Sequence, residues 1–180
     1  MSTANFCIDA QVCTVYDVPI EKKPLMQFLS QPQTFEKYMP SVRAVKLIGK
    51  SQAGQPLYEW HYDVEMPLAP TLHITIPTEF CKNGEVFTHH TPDDEAHNWM
   101  ACSLSFESVP QNEGDEPHTL VKMNLHIKLR RHSGSELHPL GALMGQAFMC
   151  SQMKNRMQEI ANTFVQRSVN ALYQELQSSR

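Results

Sequence analysis

After Pro139 the chain contains no further proline, and from Leu140 to Gln177 it reads as one long amphipathic helix pattern. Nothing else in it restricts the fold as sharply. Upstream, from Asn5 to Arg131, apolar residues alternate in short runs separated by turn residues, which is the period of half-buried strands. An antiparallel sheet with one wet face needs something to cover its dry one. The terminal helix is the only segment long enough to do so.

That helix is too long to run straight. At ~1.5 Å per residue it would extend about 57 Å, whereas a chain of 180 residues packs into a body roughly 40 Å across. On a wheel of about 100° per residue, Met153, Met157, Ile160 and Phe164 share one stripe, and Leu140, Leu143, Ala147 and Phe148 lie a quarter turn or more away. The spacing predicts an interruption between Gly145 and Gln152. It divides the segment into a short lid-like piece, Leu140 to Gly145, and a longer gripping helix.

The strand-like body begins with Phe6, Ile8, Ala10 and Val12 at alternate positions. Two short helices follow around Leu25–Leu29 and Phe35–Tyr38, punctuated by Gln31 and Pro32. Extended segments then recur at Ser41–Ile48, Leu57–Met66, Leu72–Phe80, Glu85–His90, Asn98–Ser108 and Thr119–Arg131, with Asn83-Gly84 as a tight hairpin turn. The pattern predicts an α+β fold with six or seven antiparallel strands. The Gln111 to Pro117 loop is the segment expected to be disordered.

Size, charge and cysteine usage exclude several classes. One hundred and eighty residues is the length of a single domain spanning 1–180. A net charge of -4 with scattered basic residues offers no field for a phosphate backbone, so no nucleic acid partner is expected. Five cysteines without a C-x-x-C pair fit a reduced, cytoplasmic setting. The N-terminal residues lack the pattern of a secretory signal and no run approaches roughly 20 apolar residues, so neither a signal nor a transmembrane segment is expected.

The order strand, two short helices, antiparallel meander and long terminal helix resembles the helix-grip fold of the START-like (SRPBCC) superfamily, which includes polyketide cyclase and dehydrase-like proteins and pollen-allergen-like carriers. The local sequence is similar too, in Val18-Pro19-Ile20-Glu21-Lys22, Phe28-Leu29-Ser30-Gln31-Pro32 and Phe35-Glu36-Lys37-Tyr38-Met39-Pro40-Ser41-Val42-Arg43. Pro24 departs from the usual apolar residue and Gln31 from a commoner aspartate. Proline is tolerated only in a helix's first turn, which places the first helix start near Lys22.

The resemblance implies a curved sheet gripping its helix around a cavity. Strand parity then turns Tyr58, Trp60, Tyr62, Met100, Leu104, Phe106, Met123, Leu125 and Ile127 inward, and the helical side supplies Met144, Phe148, Met153, Met157 and Phe164. Ten methionines suit a wall that adapts to varied apolar shapes. The function read from this is binding or carriage of a hydrophobic or amphipathic small molecule, with a cyclase or dehydratase as the alternative. Tyr58, Tyr62, Thr14 and Tyr16 are the polar groups such chemistry would use. No catalytic motif, cofactor or metal site is indicated, since no G-x-S-x-G, phosphate loop or H-E-x-x-H occurs. Adjacent His89 and His90 on a strand would face opposite ways, and His61 and His73 read as outward. His138 reads as a loop residue or a polar gate. Val165, Val169, Leu172, Tyr173 and Leu176 make a third reading, a partner-docking or homodimer surface on the C-terminal helix.

Overall fold

The structure, a computed structural model, describes residues 6–65, 71–110 and 116–178. Seven strands form one antiparallel sheet: β1 (Phe6–Val18), β2 (Val42–Lys50), β3 (Pro56–Val64), β4 (Leu72–Asn83), β5 (Val86–His90), β6 (Asn98–Ser108) and β7 (Thr119–Arg131). Their spatial order is β1-β7-β6-β5-β4-β3-β2. Every strand after β2 pairs with the one before it, and β7 returns to β1, so one long connection holding the two short helices separates the two sheet edges. Residue 66, the expected end of the third strand, and residues 111–115 of the expected loop lie outside the described residues.

The two short helices are α1 (Lys22–Leu29) and α2 (Pro32–Tyr38). Helix α1 starts at Lys22, which leaves Pro24 in the first turn, where its missing N–H costs nothing. Pro32 opens α2 at a position its fixed φ favours. Leu25, Leu29 and Phe35 are buried beneath the sheet's concave face.

The long segment is interrupted, and the break falls at Gly145. Helix α3 (Gly141–Met144) ends there and α4 (Gln146–Ser178) begins. Gly145 has φ 74° and ψ 153°, a region essentially closed to residues with a Cβ. It ends α3 and also accepts the first bond of α4, from the Met149 N–H at 3.2 Å. Because α4 is continuous from Gln146, its buried stripe begins earlier than Met153, at Met149, and runs through Met157, Ala161, Phe164, Val165, Ser168 and Leu172. Phe148, one residue off that stripe, is exposed.

Helix α4 lies across the sheet against β1. Two polar bridges hold it there: Gln158 Nε2 donates to Thr14 Oγ1 at 2.8 Å, and the Tyr16 hydroxyl donates to Asn162 Oδ1 at 2.9 Å. Gln158 Nε2 also reaches Asn162 Oδ1 at 2.9 Å, so the two bridges form one network. Toward the C-terminus Val165 and Leu172 are buried, while Tyr173 and Leu176 are exposed.

Candidate functional site

The middle of the space between sheet and helix is filled with aromatic side chains. Phe35 of α2 stacks on Phe164 of α4, with centroids 4.8 Å apart and planes 13° off parallel. Its edge meets Trp60 at 5.2 Å, and Trp60 stacks on Tyr62 at 6.0 Å. His89 of β5 stands among these rings, at centroid distances of 4.9 Å from Trp60 and Phe80, 5.8 Å from Phe35 and 6.0 Å from Tyr58. Trp60 Nε1 donates to Thr78 Oγ1 at 2.9 Å, and the Thr78 hydroxyl lies 3.4 Å from His89 Nδ1. His89 Nε2, on the far side of the ring, is buried with no polar partner among the described residues.

Burial sets the chemistry of these groups. It pushes the His89 pKa down from 6.5 to about 4, so the ring is neutral near pH 7. The Cys102 thiol is pushed up to about 12, and the Tyr62 hydroxyl well above its usual value, both by burial, with Cys102 adding to the latter. Tyr62 donates instead to Met100 Sδ at 3.0 Å.

The apolar cavity lies toward the α3 end. This cavity, of about 690 Å³, is bounded by α3, the first turns of α4, and the ends of β1 and β3. Its apolar wall is Ile8, Val64, Leu140, Met144, Phe148, Met149 and Met153. Its polar lining is Glu65, His138, Gln152, Asn155, Arg156 and Glu159. His138 is buried in this wall, and its Nδ1 accepts the Leu140 N–H at 3.0 Å, which puts the proton of the neutral ring on Nε2. Leu140, at the start of α3, and Leu143, within it, are exposed, Leu143 to 85%.

No family model matches the sequence, and no curated relative does. Solved structures match over nearly the whole chain. A START superfamily protein from Mycobacterium smegmatis is similar with a TM-score of 0.57 and 14% identity, over 90% of this chain and 98% of that one. The di-domain aromatase/cyclase StfQ of the steffimycin biosynthetic pathway is similar with a TM-score of 0.64 and 9% identity, over 96% of this chain and 53% of that one. The Zhui aromatase/cyclase from Streptomyces sp. R1128 is similar with a TM-score of 0.54 and 14% identity, over 93% of both chains. The chain has the START-like helix-grip fold.

Within that helix-grip frame, the residues singled out from the sequence divide into two groups. Met144, Phe148 and Met153 line the cavity. Trp60, Met100, Leu104, Phe106, Met123, Leu125, Met157 and Phe164 are buried in close-packed core, with Tyr58, Tyr62 and Ile127 half-buried against it, and none of these eleven borders the cavity. The physical reason is Phe35, which comes from a short helix and fills the centre that strand parity alone leaves empty. Thr14 and Tyr16, considered as acid or base groups, are engaged in holding α4.

The histidines also sort by face. His89 is buried inside, while His90 is exposed on the outer surface beside Trp99. His73 Nδ1 lies 2.7 Å from Asp63 on the outer face, where His126 and His118 meet Asp9 and Asp17 at the same distance. Among the described residues no three His, Cys, Asp or Glu side chains converge as a metal site would, and no helix is long and apolar enough to cross a membrane. Sequence reading placed His138 at a cavity mouth only as the lesser of two options, and passed over Arg156, Glu65 and Met149. For Met149 and Arg156 the available signal was the α4 periodicity, once its start at Gln146 is known.

Proposed function

We propose that the chain is a single START-like domain that binds an apolar or amphipathic small molecule in the cavity between α3, the start of α4 and the ends of β1 and β3. The observation that carries this is the cavity itself. Its volume of about 690 Å³ falls within the range of small-molecule sites, roughly 300–1,000 Å³. Three methionines and a phenylalanine form much of its wall, side chains that accommodate variable apolar shapes. The fold shared with START-like proteins supports the reading. The α3 segment, hinged at Gly145, forms the lid of the site.

The test is native mass spectrometry of freshly purified protein, joined to titration with an apolar fluorescent dye. A retained small molecule, or saturable dye binding that Met153→Arg abolishes without changing thermal stability, is the expected result. A protein that takes up no dye and carries no ligand is not a carrier.

A second reading is a cyclase or dehydratase acting in the same cavity, and His138 favours it. An imidazole in the wall with its proton on Nε2 is a proton donor or acceptor of the required kind. Turnover of a polyketide-like substrate that is lost in His138→Phe, with dye binding intact, would select it over carriage.

A further inference from the structure

We propose that the cavity selects a singly charged carboxylate-bearing amphiphile, with Arg156 holding its head group; this rests on the binding function proposed above. Arg156 is the one Lys or Arg among the described residues lining the cavity. Its guanidinium is half committed. Nη1 donates to Glu159 Oε2 at 3.2 Å, one helical turn along α4, while Nε is buried and has no acceptor among the described residues.

A guanidinium carries only donors, so the partner that completes it must be an acceptor. The Nε and Nη2 protons form one planar edge, which matches the two oxygens of a carboxylate once the half-exposed Arg156 side chain turns that edge toward the cavity. The charge around it limits what that anion can be. Glu159 already occupies Nη1 and Glu65 adds a second carboxylate to the lining, so a doubly charged phosphate monoester meets more repulsion than a carboxylate does.

The sequence of α4 builds both halves of this site. Gln152, Arg156 and Glu159 recur at helical spacing on one stripe, and Met149 and Met153 occupy the stripe beside it. Both stripes line the cavity. The site is therefore apolar along one side and offers a single, partly paired guanidinium at a fixed point on the other, which is the pattern of an acid with a hydrophobic tail.

The test compares 1-pyrenebutyric acid with its methyl ester by fluorescence titration at low salt, in wild type, Arg156→Gln and Arg156→Lys. The acid should bind wild type about tenfold tighter than the ester, the effect of one charge-assisted contact, and the preference should fall as salt is raised. Arg156→Gln should bind both probes at the wild-type ester affinity, and Arg156→Lys should keep part of the preference. Equal binding of acid and ester by wild type, or a preference that survives in Arg156→Gln, overturns the role of Arg156 and leaves the cavity reading standing. Failure of both probes to bind wild type overturns the cavity reading with it.

Discussion

Phe35 and Phe164 stack face to face at 4.8 Å, joining the helical hairpin between the first two strands to the terminal helix. Both rings are essentially inaccessible to solvent. The contact closes the centre of the grip, and the apolar cavity lies to one side of it, at the α3 end.

Truncating this plug should cost stability and enlarge the site. Phe164→Ala removes a fully buried ring, and such changes typically cost ~3–5 kcal/mol. Urea denaturation should show a loss of that size, and an apolar dye should bind the surviving folded protein more tightly than it binds wild type. A loss under about 1 kcal/mol would mean that the ring is not packed as described.

Helix α3 depends on two glycines for different reasons. A Cβ on Gly141 would stand 2.0 Å from the Gly134 carbonyl oxygen, so Gly141→Ala cannot keep the turn at Gly134–Glu136 against α3. A Cβ on Gly145 would meet nothing, but its φ of 74° strains any L side chain. Both substitutions should destabilise by ~1–3 kcal/mol, seen as a lower melting temperature. Gly145→Ala should also speed ligand release in stopped-flow measurements, because the lid hinge is altered. Ala142→Ser, at an exposed neighbour, should change neither quantity.

His89 should make folding sensitive to mild acid. Its pKa falls from 6.5 to about 4 on folding because burial disfavours the imidazolium. The folded state therefore binds its proton less readily than the unfolded state does. Its stabilising share is complete above about pH 6.5, is lost as the pH falls toward 4, and declines no further below that. At about 1.4 kcal/mol per pH unit, the loss across this window is roughly 3 kcal/mol. Urea midpoints measured at pH 7, 5.5 and 4 should fall more steeply in wild type than in His89→Leu; parallel curves would contradict the buried neutral ring.

Thiol reactivity should report the two faces of the sheet. Cys13 is exposed, while Cys102 is buried with its thiol pushed up to about 12. Only thiolate reacts, so a disulfide reagent at pH 8 should label Cys13 in the native protein and reach Cys102 only after denaturant is added. Peptide mapping of the labelled protein distinguishes the sites. Labelling of Cys102 in the native state would place it nearer solvent than the fold allows.

Most of the fold was legible from residue pattern, since each part rests on local chemistry. Tyr58, Trp60 and Tyr62 alternate with Glu59, His61 and Asp63, and that period admits only a strand with one face inward. Pro24 and Pro32 mark helix starts because a missing N–H is harmless only in a first turn. The length of the final segment required a break, and Gly145 was the earliest residue in the interval named for it.

The site was less legible, because it depends on which side chains from distant segments reach the same volume. Strand parity correctly turns Met123 and Leu104 inward, but an inward side chain faces open space only if no other element fills it. Phe35, distant from both in sequence, fills it. The position of Met149 on the helix likewise depended on where α4 begins, since moving a helix start changes which residues share its buried stripe.

By itself, then, the amino-acid sequence determined the elements, their order and the face each presents to the core, because these follow from backbone preferences and hydrophobic periodicity within short windows. Only the tertiary structure decided that the centre of the grip is packed with aromatic rings and that the cavity lies at the α3 end. It also brought Arg156, His138, Ile8 and Val64 to a single space. Close packing is settled by the joint volume of side chains far apart in the chain, and no local window contains that sum.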